Sequence, residues 1–287
     1  MIFKKYLAEA GIAIAKQSTL ERLLASERLL QRNASFPEFI QHISPDLAQH
    51  AIGLLPFSRG EIFQDVFAAL VLRNVESGYF VEFGATDGVE GSNTWLFENH
   101  LNWQGLLSEP ARRWHEALRR NRSAAISEKC VWSESGTLAE FKEAREGGFS
   151  TLARFASSDR HANRRQKGRS YKVETISLND LLDNFAAPTH IDFMSIDTEG
   201  SEFDILSTFD FKRRTIGVLT IEHNFRPERE DLKDLLNEHG YTRAPTSLSK
   251  FDDWYVSTEL LDELRRVFPQ EIEELASRSL HGKGARE

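Results

Sequence analysis

Acidic side chains stand at or just beyond the ends of several short apolar segments of this sequence. A group of this kind can bind a cation or accept a proton. The residues are Glu82, Asp87, Glu109, Asp197, Glu199 and Glu222, with His223 and Asn224 directly after the last of them. Because parallel strands end at one edge of a sheet, we expect these side chains to meet in one crevice.

The segment FVEFGATDG has the form of a strand followed by a glycine-rich turn, as in nucleotide-binding proteins. Gly84 and Gly88 allow a sharp turn and the close approach of a ligand. The G-x-G-x-x-G of dinucleotide sites is absent. The acids Glu82 and Asp87 would repel a pyrophosphate, whereas they suit a cationic sulfonium. The turn therefore favours S-adenosylmethionine over a dinucleotide.

The acid of GLLSEP lies 25 residues after the glycine-rich turn begins, at the end of the next apolar segment. An acid at the tip of a second strand can accept hydrogen bonds from both hydroxyl groups of a ribose, as it does in dinucleotide-binding folds. We therefore expect Glu109 to bind the ribose of the cofactor.

The segments IDFMSIDTEG and VLTIEHN provide the candidate reacting groups. Asp197 and Glu199 follow one strand, and His223 beside Glu222 could serve as a general base after the next. Alternatively, Asp197, Glu222 and Asn224 could supply oxygen ligands to Mg²⁺. Since the Asp197-x-Glu199 pair can orient a hydroxyl group without an ion, we expect no metal and keep Mg²⁺ as the alternative. The expected catalytic residues are Asp197, Glu199 and His223.

The elements that must position these residues alternate between strands and helices, which predicts an α/β fold with a largely parallel sheet. The predicted strands are Phe80–Phe83, Gly105–Leu107, Ile126–Trp132, Ile191–Ile196, Val218–Ile221 and Phe251–Val256. The predicted helices are Trp95–His100, Arg112–Arg120, Glu202–Phe209 and Glu230–His239. Residues 1–58 are predicted to form a helical N-terminal arm or cap, and residues 258–287 a helix and a polar tail.

The composition of the chain limits which partners and cellular compartments are expected. The 287 residues carry a net charge of −8, which argues against a nucleic-acid partner. A single cysteine excludes an internal disulfide and fits a cytoplasmic protein. No targeting segment and no apolar run of about 18 residues is found, so no transmembrane segment is expected. A weak peripheral membrane contact would fall on Ile2, Phe3, Tyr6 and Leu7.

The segment of residues 154–172 is basic in a chain that is acidic elsewhere. It is either a solvated surface loop or a basic lid that closes over an anionic substrate, such as a phosphorylated sugar. The lid interpretation predicts that Arg164 and Arg165 bind the acceptor and that they leave cofactor binding unchanged.

Six motifs in one order resemble the FkbM-type S-adenosylmethionine-dependent methyltransferases over roughly residues 59–257. The motifs are FVEFGATDGVEGSNT, WQGLLSEP, VETISLNDLL, IDFMSIDTEGSEFDIL, TIEHN and DDWYV. The resemblance implies the class I methyltransferase fold, a Rossmann-like sheet of seven strands with helices on both faces, whose last strand, here Phe251–Val256, is antiparallel. The cofactor contacts then expected are Glu82, Gly84, Ala85, Asp87, Gly88, Asn93, Glu109 and Asp197.

The resemblance implies an O-methyltransferase that acts on a hydroxyl group of a sugar, a glycolipid or a related natural product. One alternative is an NAD-dependent oxidoreductase, which the missing G-x-G-x-x-G disfavours. Another is a binding protein that has kept the S-adenosylmethionine fold without catalysis, and a third is nucleic-acid methylation, which only the basic segment supports. The sequence does not identify the acceptor or the oligomeric state.

Overall fold

The computed structural model describes residues 34–145, 148–156, 162–166 and 168–270. The chain divides into two units, residues 1–41 and residues 42–287. In the first unit, the described residues 34–41 are helical. The expected membrane-contact residues near the N-terminus, and the predicted polar tail from residue 271 onward, lie outside the described residues.

Strands and helices alternate along the second unit, as the sequence predicts. The helices are α1 Pro45–Leu54, α2 Gln64–Val71, α3 Trp95–Asn99, α4 His115–Asn121, α5 Ala162–Arg165, α6 Leu178–Asn184, α7 Glu202–Ser207, α8 Arg229–Glu238 and α9 Leu261–Val267. The strands are β1 Tyr79–Phe83, β2 Gln104–Ser108, β3 Ala125–Ser127, β4 Cys130–Trp132, β5 Leu138–Glu143, β6 Thr151–Leu152, β7 Arg169–Ser177, β8 His190–Ile196, β9 Thr215–Glu222, β10 Tyr241–Arg243 and β11 Asp252–Ser257.

The main sheet has seven strands in the order β10-β11-β9-β8-β1-β2-β3. The strands β9, β8, β1, β2 and β3 pair in parallel, and β11 pairs antiparallel with both β9 and β10. This arrangement confirms the expected class I methyltransferase sheet, including the antiparallel last strand. The parallel pairs require crossover connections, which the intervening helices provide.

Both faces of this sheet are covered by apolar side chains. On one face, Val81 and Met194 belong to a buried cluster with residues of α6, α7 and α8. Phe193, the residue before Met194, points to the opposite face, where its ring centroid lies 4.9 Å from that of Phe97 on α3. Strands buried on both sides carry few polar residues, which explains their near-continuous apolar runs.

A second, smaller sheet with the order β4-β7-β5-β6 was not predicted. The predicted strand Ile126–Trp132 is in fact two strands, because the chain leaves the main sheet after Ser127 and enters the small sheet at Cys130. The polar pair Glu128 and Lys129 forms the connection. Pairing between β5 and β7 is antiparallel over six residue pairs. It places residues 169–172 of the basic segment in a strand, where the sequence allowed a solvated loop.

The described helices were compared with the length and apolarity needed to cross a bilayer. None of them, within the ranges that the structure describes, meets both requirements.

Candidate active site

The carboxyl ends of β1, β2, β8 and β9 lie at one edge of the main sheet because these strands are parallel neighbours. A cleft opens at this edge and contains about 480 Å³ of empty space, part of it open to solvent. Gly84, Glu109 and Asp197 line it, each from the turn after a different strand. Three residues of the predicted site are therefore brought together as the sequence indicated.

The turn after β1 touches the turn after β8. Gly84 has φ +73°, and a Cβ at this position would overlap the carbonyl oxygen of Asp197. Its N–H donates to the carbonyl of Ser108 at the end of β2. Only glycine combines this backbone conformation with so close an approach of another main chain.

Glu109 is buried at the floor of the cleft and holds the two flanking turns together. Its Oε2 accepts a hydrogen bond of 2.8 Å from the N–H of Thr86, and its Oε1 accepts one of 2.7 Å from the N–H of Ala111. Each carboxylate oxygen can accept more than one hydrogen bond, so capacity remains for a ligand in the cleft. Burial raises the pKa of Glu109 to about 7, and the charges of Asp197 and Glu143 add to the shift.

Three carboxyl groups form a cluster at the ends of β8 and β9. Asp197, Glu199 and Glu222 each offer one oxygen, and these oxygens lie within 4.8 Å of one another. Glu222 holds its proton most firmly, since burial and the charge of Asp197 raise its pKa well above the usual range. Asp197 is open to the cleft, but the protein atoms and acids around it raise its pKa to about 7. A hydrogen bond links the carboxyl groups of Asp197 and Glu222.

Residues 82–243, more than half of the chain, match the family model described as the methyltransferase FkbM domain. The chain belongs to the FkbM methyltransferase family. This confirms the resemblance drawn from the motifs and makes the activity class methyl transfer from S-adenosylmethionine. No curated protein sequence matches the chain.

Solved structures similar to this FkbM methyltransferase are distant. Precorrin-6y C5,15-methyltransferase from Geobacter metallireducens GS-15 is 13% identical, with 66% of this chain and 76% of that chain covered and a TM-score of 0.37. A human methyltransferase 10 domain containing protein is 11% identical, with coverages of 68% and 82% and a TM-score of 0.36. The CurJ carbon methyltransferase is 13% identical, with coverages of 88% and 77% and a TM-score of 0.34. The fold of the methyltransferase is defined by its own strand order.

Glu82, an expected cofactor contact of the methyltransferase, is engaged inside the first turn. Its Oε2 accepts hydrogen bonds from the hydroxyl groups of Ser92 and Thr94, and its Oε1 accepts one of 2.7 Å from the N–H of Asn93. Nη1 of Arg122 lies 3.6 Å from Oε2 of Glu82, and the side chain of Arg122 is also buried. Glu82 is therefore placed to hold the turn against the start of α3.

The other expected contacts of the first turn are also outside the described lining of the cleft. Asp87 accepts hydrogen bonds from the N–H groups of Val89 and Glu90, and Ala85 is buried. Gly88 has φ +78° and leaves no room for a Cβ. Asn93 donates from Nδ2 to Ser195 at 2.9 Å, while its buried Oδ1 accepts no hydrogen bond from a described residue. These residues shape the turn, and any contact with the cofactor from them stays a prediction.

His223, expected to be a catalytic base, has both ring nitrogens occupied by the main chain. Nδ1 accepts a hydrogen bond of 2.9 Å from the N–H of Phe225, and Nε2 lies 3.1 Å from the carbonyl of Asp252. This pattern requires the neutral form with the proton on Nε2. Burial also lowers the pKa of His223. The structure therefore gives His223 the task of holding the left-handed turn at Asn224 and Phe225.

Glu199 is buried and pairs with an arginine of the basic segment. Its Oε2 accepts from Nη2 of Arg165 at 2.8 Å and from Nδ2 of Asn224 at 3.2 Å. Arg165 is 1% exposed, and its Nε donates to the carbonyl of Phe149. Arg165 is therefore not part of a solvated surface loop, because its guanidinium reaches into the crevice, and the basic lid over an anionic substrate stays a prediction.

The small sheet forms one wall of the cleft of the methyltransferase. The described lining residues from this sheet and its connections are Cys130, Val131, Phe141, Gly148, Ser150 and Leu152. Thr151 connects this wall to the turn after β8, because its hydroxyl group lies within hydrogen-bonding distance of the carbonyls of Thr198 and Glu199. Part of the basic segment is thus β7 of this wall, and residues 157–161 and 167 lie outside the described residues.

The sequence analysis did not identify Asp252 as an acid near the carboxyl cluster. Asp252 on β11 pairs in register with Glu222 on β9, and it accepts a hydrogen bond of 2.8 Å from Gln64. Burial raises the pKa of Asp252 well above its usual range. The signal was present in DDWYV, where two acids begin an apolar strand, but it becomes informative only once β11 is known to lie beside β9.

Proposed function

We propose that this methyltransferase moves the methyl group of S-adenosylmethionine to a hydroxyl oxygen of a sugar, a glycolipid or a related natural product. The observation that carries the proposal is the position of the Asp197 carboxylate, which lines the cleft beside the turn after β1; its surroundings also raise its pKa to about 7. A hydroxyl group loses its proton reluctantly, and a base whose pKa lies near the working pH serves it best. Such a base has less use where the nucleophile carries no acidic proton.

The cofactor is proposed to lie along the turns after β1 and β2. Glu109 accepts hydrogen bonds from the ribose hydroxyl groups, while Gly84 lets the amino-acid portion approach the main chain. Asp197 then stands beside the sulfonium, and its negative charge favours the cationic ligand over the neutral product. The small sheet forms one wall of this end of the cleft.

The chemical step follows from this placement. Asp197 would take the proton of the acceptor hydroxyl group on a carboxylate oxygen as the hydroxyl oxygen gains the methyl group. S-adenosylmethionine, when bound, would supply that methyl group and would leave as the neutral thioether, which keeps the electron pair of the broken carbon–sulfur bond. Glu222 stays protonated and donates to Asp197, so the two carboxyl groups carry one negative charge before the reaction.

We expect the full chain to bind S-adenosylmethionine and its demethylated product, and not to bind NAD. A ligand at about 100 times its dissociation constant raises the free energy of unfolding by about 2.7 kcal/mol, which a thermal-shift measurement detects. NAD at the same concentration serves as the matched control. A shift with NAD and none with either sulfur ligand would favour the oxidoreductase alternative. Binding of both sulfur ligands without turnover on any hydroxyl acceptor would favour a non-catalytic binding protein.

Glu109→Ala is expected to weaken binding of S-adenosylmethionine by about 10- to 100-fold. Hydrogen bonds to a charged group contribute about 1.5–3 kcal/mol, and about 1.4 kcal/mol corresponds to a factor of ten. Calorimetric titration of the folded variant measures the change. Glu116→Ala, an exposed acid on α4, is the control and should bind as the unaltered chain does. Equal affinity in both variants would show that Glu109 serves only the two turns.

A further inference from the structure

Residues 148–152 of the small sheet form a short segment, here called the strap, that reaches from one turn of the cleft to another. At one end Gly148 lies against the turn after β1, because a Cβ on it would stand 3.1 Å from Cγ2 of Thr86. At the other end the hydroxyl group of Thr151 lies 3.0 Å from the carbonyl oxygen of Glu199, after β8. The residues of the strap that line the cleft are Gly148, Ser150 and Leu152.

We propose that the strap is a gate for the cofactor and that Arg165 holds this gate closed. S-adenosylmethionine enters, and its demethylated product leaves, only while the strap is lifted from the turns after β1 and β8. The inference rests on the proposed placement of the cofactor and does not depend on the identity of the acceptor. It makes Arg165 a positioning residue that sets the rates of cofactor exchange.

Arg165 joins the strap to the crevice through two hydrogen bonds of one guanidinium group. Nε donates to the carbonyl of Phe149 in the strap at 2.6 Å, and Nη2 donates to Oε2 of Glu199 at 2.8 Å. The side chains of Arg165 and Glu199 are both buried. Charge-assisted hydrogen bonds are about twice as strong as neutral ones, and only arginine offers several donors in a fixed planar arrangement. A single side chain thus fixes the strap to the edge where the acids lie.

The small sheet itself holds the strap weakly. The edge strand β6 pairs with β5 over two residue pairs, whereas β5 and β7 pair over six. Ser150 also accepts a hydrogen bond of 3.0 Å from the N–H of Ala144, just after β5. Segments with few backbone contacts open locally at a low free-energy cost. The contacts made by Arg165 and by the hydroxyl group of Thr151 therefore contribute much of the stability of the closed position.

A gate has a kinetic signature that differs from that of a binding contact. The hydrogen bonds of Arg165 and Thr151 to the strap and the turn after β8 join protein atoms only, so they favour the closed form equally with and without cofactor. Such interactions slow entry and exit by the same factor and leave the affinity unchanged. Removal of Glu109, which is proposed to bind the ribose, should instead lower the affinity.

The test is stopped-flow measurement of S-adenosylmethionine binding to the full chain, followed by tryptophan fluorescence because Trp114 lines the cleft. For the unaltered chain, the observed rate should level off at high cofactor concentration, where opening of the strap limits it. Arg165→Met should raise this limiting rate and the dissociation rate by about 10- to 100-fold each, with little change in affinity. Thr151→Val, which removes one neutral hydrogen bond and keeps the buried ion pair, should raise both rates by about two- to tenfold.

Amide hydrogen exchange gives a second readout that needs no ligand. Arg165→Met and Thr151→Val should both speed exchange at the amides of the strap, because the closed position loses a contact in each. Thr137→Val replaces an exposed threonine just before β5 and is the matched control. It should change neither the exchange of the strap nor the two binding rates.

The outcomes separate the gate from the proposed function because no acceptor is used. An observed rate that rises linearly at all cofactor concentrations, or variants that leave both rates unchanged, would overturn the gate and leave hydroxyl methylation standing. Weaker binding without faster association would show that Arg165 only shapes the cleft, and it would overturn the gate as well. If both rates rise but no hydroxyl acceptor is methylated, the gate stands and the proposed function fails.

Discussion

Replacement of Asp197 by asparagine should lower methyl-transfer turnover by about 10²- to 10⁴-fold, the usual contribution of a positioned base. Asparagine keeps the shape of the side chain but cannot take up the hydroxyl proton. The measurement is the rate of methyl transfer to a hydroxyl acceptor that the unaltered chain methylates, at saturating S-adenosylmethionine. Asp234→Asn, an exposed acid on α8, is the matched control and should turn over normally.

The pH dependence gives a second readout of the same role. A base acts only when deprotonated, and the pKa of Asp197 is raised to about 7. Turnover of the unaltered chain should therefore rise with pH, reach half of its maximum near pH 7 and then level off. In Asp197→Asn this rise should disappear. Normal turnover with an unchanged pH profile would contradict the assignment.

The fold could be predicted because its signals are local and repeated. Each parallel strand appears as a short apolar run, and the turn after it carries the polar residues, so β1, β2, β8 and β9 were expected in the positions where they lie. The contact between Gly84 and the turn at Asp197 is the spatial reason for the glycine that the sequence had marked. Residue type and spacing were sufficient to predict that Gly84, Glu109 and Asp197 lie around one cleft, and their contacts with the cofactor stay predictions.

The task of His223 could not be read from the sequence because it depends on two backbone groups. The N–H of Phe225 comes from a left-handed turn, and the carbonyl of Asp252 comes from a strand that is antiparallel to β9. Neither is visible in the motif TIEHN. A histidine next to an acid at a strand end looks like a base until the position of the neighbouring strand is known.

The position of Arg165 could not be predicted from the sequence for a related reason. The charge count of the basic segment left two alternatives, a solvated loop, which is the usual state of arginine, and a basic lid. The antiparallel pairing of β5 with β7 instead folds the segment back onto the crevice, where Arg165 meets Glu199. Pairing between distant strands decides which arginine turns inward, and the sequence contains no local signal for it.

Arg165→Met is expected to lower the free energy of unfolding by about 3–5 kcal/mol. Arg165 and Glu199 are both buried and their charged atoms lie 2.8 Å apart, so the variant leaves a buried carboxylate without this partner. Removal of one member of a buried ion pair has a cost of that size, whereas an exposed pair contributes little. Urea unfolding followed by circular dichroism measures the change. Arg213→Met, which breaks the exposed pair with Asp183, is the control and should cost about 1 kcal/mol or less.

The double variant Arg165→Met with Glu199→Gln separates this ion pair from simple loss of packing. If the penalty comes from an uncompensated carboxylate, neutralising Glu199 should recover much of the lost stability, and the coupling between the two changes should exceed about 1 kcal/mol. Additive effects would show that Arg165 acts through its packing alone. Because Glu199 lies next to Asp197 in the crevice, the single variant should also impair turnover more than it impairs binding of S-adenosylmethionine. An Arg165→Met chain with normal stability and normal turnover would show that Arg165 has no part in positioning the reacting groups.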